Sequence, residues 1–352
     1  VSVRQTFNPG INPTVLADLP GLPGGSPGSR VDQWLSSWAV GQRMAAVPAV
    51  VAAAQELAGT SPPLVPLPTV DRLPTVTSAT IAEAEPWPAL LNSLVAQGHS
   101  ASVELADDLG RALGGTVATL VSGPVGARVA RPDWPAAHWD SWSRVRRVTV
   151  GGGILSGVLG VRMVTTAAAW LSDIAAPVEV VLAHDPASLV LRGAGAGGIP
   201  GGADVGLVLD SGGTTIKRAV VSGADSQDRP AAPAPGPRHA AYDLVGILVR
   251  AAVEIAPPGD RPLGVAFALA TYVDESGQPY ADQLGPYAAL GQIDLVPELA
   301  RLLSERLCRP VTVRVRHDGE SALLGARLDD PSTDAVIVLG TAVGTAVDPI
   351  GS

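Results

Sequence analysis

The feature that most constrains this chain is the stretch Asp204 to Ser222, D-V-G-L-V-L-D-S-G-G-T-T-I-K-R-A-V-V-S. Two β-rich apolar runs, Val205 to Leu209 and Ala219 to Val221, are separated by a glycine-containing turn, the signature of a β-hairpin. The polar residues gather at that turn. Gly212 and Gly213 let backbone N–H groups approach an anion, Thr214 and Thr215 offer hydroxyls, and Lys217 offers charge. Asp210, closing the first strand, is placed to hold a hydrated Mg²⁺. Alone, the pattern also fits a tight hairpin with one polar end.

Read in order, residues 1–30 are Gly/Pro-rich loop after a short strand at Val1 to Arg4. Val31 to Leu57 has a helical stripe of Trp34, Trp38, Met44 and Val47, which Pro48 should kink or divide. Five prolines make Thr60 to Val76 a loop, and Ala101 to Val121 is helical, with Gly114-Gly115 marking close packing. The cluster Trp134, His138, Trp139 and Trp142 reads as packing rather than a stacking site. Arg147 to Gly157, R-V-T-V-G-G-G-I-L-S-G, is a strand running into Gly151, Gly152 and Gly153. A helix follows from Leu159 to Ser172, an arrangement that brings backbone against a ligand at a strand's carboxyl end. A strand at Val178 to Ala183 comes next, and the segment Gly197 to Gly202 is the expected domain boundary.

Beyond the hairpin, Ser226 to Arg238 reads as a Pro/Ala loop, and Ala240 to Ile255 as an amphipathic helix. A strand runs from Leu263 to Tyr272, and a helix from Leu295 to Leu307 has Asp294 as N-cap. The alternating V-T-V-R-V-R-H-D-G-E is a strand that delivers His317 and Asp318 at its end. Asp334 to Asp348 is a second hairpin, with Gly340, Thr341 and Gly344 at its turn. Two glycine/threonine hairpins, a strand-end Asp and a glycine strand–helix turn make a phosphate-handling set. Asp318 is either the carboxylate that orients an attacking hydroxyl or a helix N-cap. His317 reads first as a structural histidine, and Arg316 as a solvated strand residue.

Composition narrows the setting. The 352 residues suffice for two domains, and 46% are hydrophobic against 16% charged. A net charge of −9 argues against a broad nucleic-acid or anionic-membrane surface. The single cysteine, Cys308, excludes an intramolecular disulfide framework. With no signal-peptide pattern in the opening residues and no long apolar run, the expected location is cytoplasmic.

The segment L-D-S-G-G-T-T-I-K resembles the first phosphate motif, D-x-G-G-T-x-x-K, of the ROK family of sugar kinases, in the actin-like ATPase superfamily. R-H-D-G-E-S-A-L-L-G-A is similar to that family's E-N-D-A-x-A-A-x-x-G-E, V-L-G-T-A-V-G-T-A-V to its G-T-G-I-G hairpin, and V-T-V-G-G-G-I-L-S-G to its adenosine-side glycines. In the family those glycines follow the second hairpin; here they precede the first. The resemblance therefore implies an α/β, two-lobed actin-like ATPase (ribonuclease H-like) fold that is circularly permuted. One lobe would be residues 1–196 with 334–352 and the other 203–333, with Ser352 near Val1. It implies an ATP-dependent carbohydrate kinase using ATP and Mg²⁺ as cofactors, with Asp318 as general base and Asp210 acting through Mg²⁺. Gly212, Gly213, Thr214 and Lys217 would contact phosphates, Gly340, Thr341 and Gly344 would form the second clamp, and Gly151, Gly152 and Gly153 would approach the adenosine. His317 would stand where an Asn helps hold the sugar.

The departures bear on the acceptor. The zinc-binding cysteine cluster and the G-E-x-G-H sugar segment have no counterpart, and P-G-x-x-D becomes A-T-Y-V-D, ending in Asp274 on the substrate side. The expected partner is thus a small sugar-like molecule or cyclitol, with no nucleic acid and no membrane. The competing class is a catalytically degenerate nucleotide- or sugar-binding sensor. Residues 1–100, poorest in motifs, would house a substrate cap or the interface of a homodimer.

Overall fold

The computed structural model describes residues 10–58, 86–222, 225–235, 239–280 and 287–348. The expected strand at Val1 to Arg4, the Pro-rich loop at 60–76 and the proximity of Ser352 to Val1 lie outside them. Among the described residues nine strands occur in chain order: β1 (Arg147–Gly151), β2 (Glu179–Leu182), β3 (Val205–Ser211), β4 (Thr215–Ser222), β5 (Asp225–Pro233), β6 (Leu263–Leu269), β7 (Val311–His317), β8 (Ala335–Leu339) and β9 (Val343–Val347). With about a dozen helices they make a mixed α/β protein containing two mixed sheets. Two compact units divide the described residues: a larger one of 10–187 with 332–348, and a smaller one of 188–331. The division falls ahead of the glycine segment at 197–202, because helix Leu189–Ala196 packs within the smaller unit.

In the smaller unit the strand order is β5-β4-β3-β6-β7. β3 pairs antiparallel with β4 and parallel with β6, and β6 pairs parallel with β7. β6 is buried at every residue, as expected of a parallel strand covered on both faces. Leu207, Leu209, Val265 and Phe267 face helices Ala241–Val253 and Leu295–Leu307 in one core with Leu244, Leu248, Leu299 and Leu303. The alternate residue Val208 faces Gly195 of helix Leu189–Ala196, which packs on helix Asp318–Asp329 through Gly193 and Gly325. Val311, Val313 and Val315 of β7 turn into the core while Thr312, Arg314 and Arg316 turn to the other face.

Two local readings change. Residues expected to be a Pro/Ala loop form the edge strand β5, which is almost wholly exposed. An edge accepts proline because one row of its N–H positions needs no partner. A register shift between Ile216 and Arg218 absorbs the irregularity, and the buried Arg218 guanidinium bonds the Pro230 carbonyl across it. The 31–57 helix becomes Asp32–Leu35, Ser37–Ala45 and Pro48–Ala58, divided at Pro48 as expected and also at Ser36. Ser36 is extended, and its Oγ accepts the Ala39 N–H as an N-cap.

In the larger unit the order is β2-β1-β8-β9, with β1 parallel to both β2 and β8, and β8 antiparallel to β9. Each sheet thus holds one tight hairpin whose first strand also pairs with a parallel strand, and beyond that lies a second parallel strand. Helices Ser100–Ser122 and Val158–Asp173 meet closely, Gly110 on the Met163 backbone and Gly114 on Trp170. Trp134, Trp139 and Trp142 are buried, with the Arg131 guanidinium over Trp134, so this cluster is packing.

Candidate functional site

Strands β3, β6 and β7 run parallel, so their carboxyl ends lie on one edge of the smaller unit's sheet, where α/β proteins bind ligands. That edge collects Asp210 and Ser211 from β3, Thr271 and Tyr272 just after β6, and His317 with Asp318 from β7 and the helix it enters. Lys217 joins them because the hairpin register sets it directly opposite Asp210, and directly opposed side chains share a face. Lys217 Nζ stands 3.4 Å from Asp210 Oδ2.

Asp210 is buried, and burial raises its carboxyl above the ordinary range; the Lys217 charge opposes this and the Asp318 charge adds to it. Asp318 is the first helical residue rather than the N-cap, a position that His317 occupies without a side-chain cap bond. Its Oδ1 accepts the Gly319 N–H at 2.7 Å and lies 3.0 Å from His317 Nε2. Oδ2 takes no bond from the described residues, and the side chain keeps 18% of its exposure, so one carboxylate oxygen remains accessible. His317 is buried at the strand end, stacked on Tyr272 with ring centroids 4.1 Å apart. Ring stacking and the carboxylate together fix the imidazole.

Tyr287 is the residue that sequence reasoning missed. It is fully buried, and its hydroxyl donates to the Gly212 carbonyl at 3.1 Å, tying the hairpin turn to the core. Burial pushes its hydroxyl well above the usual phenol range, and the Asp210 and Asp318 charges push the same way. A lone tyrosine in A-D-Q-L-G-P-Y carries no motif; only its contact to the turn reveals it.

Other expected site groups are committed elsewhere. The Gly212 N–H donates to the Thr215 carbonyl and closes the hairpin, leaving Gly213 and Thr214 as the phosphate-facing candidates of this turn. Asp274 Oδ1 accepts the N–H groups of Ser276 and Gln278 and the Ser276 hydroxyl, so this carboxylate organises its own loop.

In the larger unit β1 and β8 are neighbours, which brings the glycine turn after β1 beside the β8–β9 hairpin. Gly152, at φ +103°, packs directly on the Leu339 backbone and donates its N–H to the Pro186 carbonyl. A side chain there would strike that backbone, so Gly152 serves strand packing. Gly153, with open space around its Cα, begins a short 3₁₀ turn, and Gly151 ends β1. The Gly340 N–H bonds the Ala342 carbonyl, and the Gly340 carbonyl accepts the Ser37 N–H. Gly344 sits inside β9 opposite Val338 rather than at the turn, which is formed by Gly340, Thr341 and Ala342.

No family model matches this chain, and a search of curated proteins finds no relative. Among the described residues no helix is long and apolar enough to cross a membrane.

Proposed function

We propose that this chain is an ATP-dependent phosphotransferase that forms a phosphate ester on a hydroxyl of a small sugar-like or cyclitol acceptor. The observation that carries the reading is the meeting of Asp210, Lys217 and Asp318 at one strand edge, with Asp318 Oδ2 left accessible. The two sheets support an actin-like, permuted architecture. Counted from β8, the larger unit reads hairpin, parallel strand, parallel strand, which is the sequence of pairings in the smaller unit apart from its additional edge strand β5.

In the proposed step the acceptor oxygen bonds the γ-phosphorus, the bond from that phosphorus to the β–γ bridging oxygen breaks, and ADP leaves. The acceptor proton passes to Asp318 Oδ2, while His317 and Gly319 on Oδ1 fix the carboxylate's orientation. Gly213, Thr214 and Lys217 at the turn balance phosphate charge. Mg²⁺, when bound, neutralises charge between the phosphates. Asp210, a buried carboxylate at the strand end, would hold that Mg²⁺ together with phosphate and water oxygens.

A second reading, a nucleotide-binding protein without turnover, draws on the committed groups. The Gly212 and Gly340 amides close their own turns, and Asp274 closes its loop. Mg²⁺-dependent ATP consumption, screened against sugars, amino sugars and cyclitols with Asp318→Asn as control, separates the two. Acceptor-dependent ADP release that the variant loses supports the kinase. Nucleotide binding without any acceptor-dependent turnover supports the second reading, and absence of nucleotide binding refutes both.

A further inference from the structure

The most unusual electrostatic feature outside the candidate site is on β7, the other edge strand of the smaller unit's sheet. Strand alternation sets Thr312, Arg314 and Arg316 in a row on one face, with successive members about 6.6 Å apart. Several other buried or half-buried arginines are matched with acids, Arg131 with Asp133, Arg192 with Asp329 and Arg218 with Glu254, whereas Arg43 and Arg309 bond main-chain carbonyls. Arg314 and Arg316 have no carboxylate partner among the described residues. Asp210 lies in register on the same face through Ala268, but two strands away, about 10 Å, and is engaged by Lys217.

The two guanidiniums are held differently. Arg314 donates to the carbonyls of Ala194, Gly197 and Gly198 at 2.8–3.1 Å, closing the carboxyl end of helix Leu189–Ala196. Arg316 lies flat on Gly197: a Cβ there would be 2.6 Å from Nη1 and 2.7 Å from Nη2. Its Nη1 is shielded from solvent and makes no hydrogen bond, and Arg314 Nε is in the same position. Two cations side by side repel each other, and an anion beside them would offset that repulsion. Burial and the Arg316 charge together lower the Arg314 guanidinium below its ordinary value, consistent with mutual repulsion.

We propose that Arg316 and Arg314, with the neighbouring Thr312 hydroxyl, form an oxyanion site for a phosphate or phosphate-monoester group. A planar guanidinium matches a tetrahedral oxyanion; Arg316 would supply the donors, while Arg314, whose Nη atoms are spent on carbonyls, would supply charge. Thr312 is exposed and adds a hydroxyl donor at the end of the row, beside Gly201. The site is separate from the hairpin turn and does not rest on the phosphotransfer reading.

The test is thermal denaturation of the full chain titrated with inorganic phosphate and with glycerol 3-phosphate, against sodium chloride at matched ionic strength. Saturable stabilisation by either phosphate compound is expected; response to inorganic phosphate alone identifies the free ion as the ligand, and response to both admits monoesters. Arg316→Gln should raise the apparent Kd about tenfold or more, the scale of losing hydrogen bonds to a charged group. Gly197→Ala, at an ordinary φ of −78°, should do the same with both charges retained, because its Cβ displaces the guanidinium. That second variant keeps the test decisive should Arg316→Gln fold poorly. The proposal is overturned by stabilisation no greater than with chloride, or by stabilisation unchanged in both variants. It is equally overturned if Lys217→Ala abolishes the effect while Arg316→Gln keeps it, since the anion would then sit at the hairpin.

Discussion

Replacing Gly193 by alanine pits two effects of opposite sign against each other. Gly193 lies inside helix Leu189–Ala196, where alanine is favoured over glycine by about 1 kcal/mol on propensity alone. Its Cα, however, faces helix Asp318–Asp329. An added Cβ would overlap the Ser321 carbonyl and come within 2.6 Å of the Gly325 N. Both obstacles are backbone, so no rotamer change relieves them, and the helices must part. Overpacking costs about 1–3 kcal/mol, and the upper end applies where nothing can yield. The net expectation is a loss of about 2 kcal/mol. Gly246 is the matched control: it sits in helix Ala241–Val253 with nothing within 4 Å, so Gly246→Ala should gain roughly 0.5–1 kcal/mol. Urea unfolding followed by circular dichroism measures both. All seven tryptophans lie at or before Trp170, in the larger unit, so circular dichroism rather than their emission is the readout for these helices. A Gly193→Ala protein as stable as the parent would refute the close packing that seats the Asp318 helix.

Asp318→Asn should lower acceptor-dependent ATP turnover by about 10²–10⁴-fold while nucleotide affinity is retained, as kinetics with a binding titration would show. Asp210 has a raised folded-state carboxyl pKa, so ionising it disfavours folding as pH rises through that value. Asp210→Asn should therefore be more stable than the parent at neutral pH, with the difference shrinking toward pH 4; a difference constant with pH refutes the burial argument. Tyr287→Phe removes one hydrogen bond to the Gly212 carbonyl and should cost about 0.5–1.5 kcal/mol by denaturant titration. If the hairpin turn binds phosphate, the same change should raise the nucleotide KM.

The local signals in the sequence were strong where the chain's own neighbours set the structure. Alternation in V-T-V-R-V-R-H, the glycine breaks of both hairpins and Pro48 each act within a few residues, and the strands and helix breaks they predict are present. Helix Leu189–Ala196, with glycine at Gly193 and Gly195, has no such signal, because Gly193 serves close packing on a helix more than a hundred residues away and Gly195 faces Val208 of β3. The β5 segment has the sequence of a loop for a related reason: its pairing comes from β4, against its own proline content.

The candidate site divides the same way. By itself the sequence determined that Asp210 ends a strand, that Lys217 follows a glycine turn, and that His317-Asp318 stands where a strand becomes a helix, since these depend on chain-local periodicity. Only the tertiary structure decided what those groups meet. Parallel pairing of β3, β6 and β7 sets their ends on one edge, and long-range packing brings Tyr287 under the turn. It also decided which groups are already spent, the Gly212 N–H as a donor in its hairpin and the Asp274 carboxylate as an acceptor in its loop. A residue's type fixes what it can bond, but whether that capacity is free depends on partners distant in sequence, and those are set by the fold.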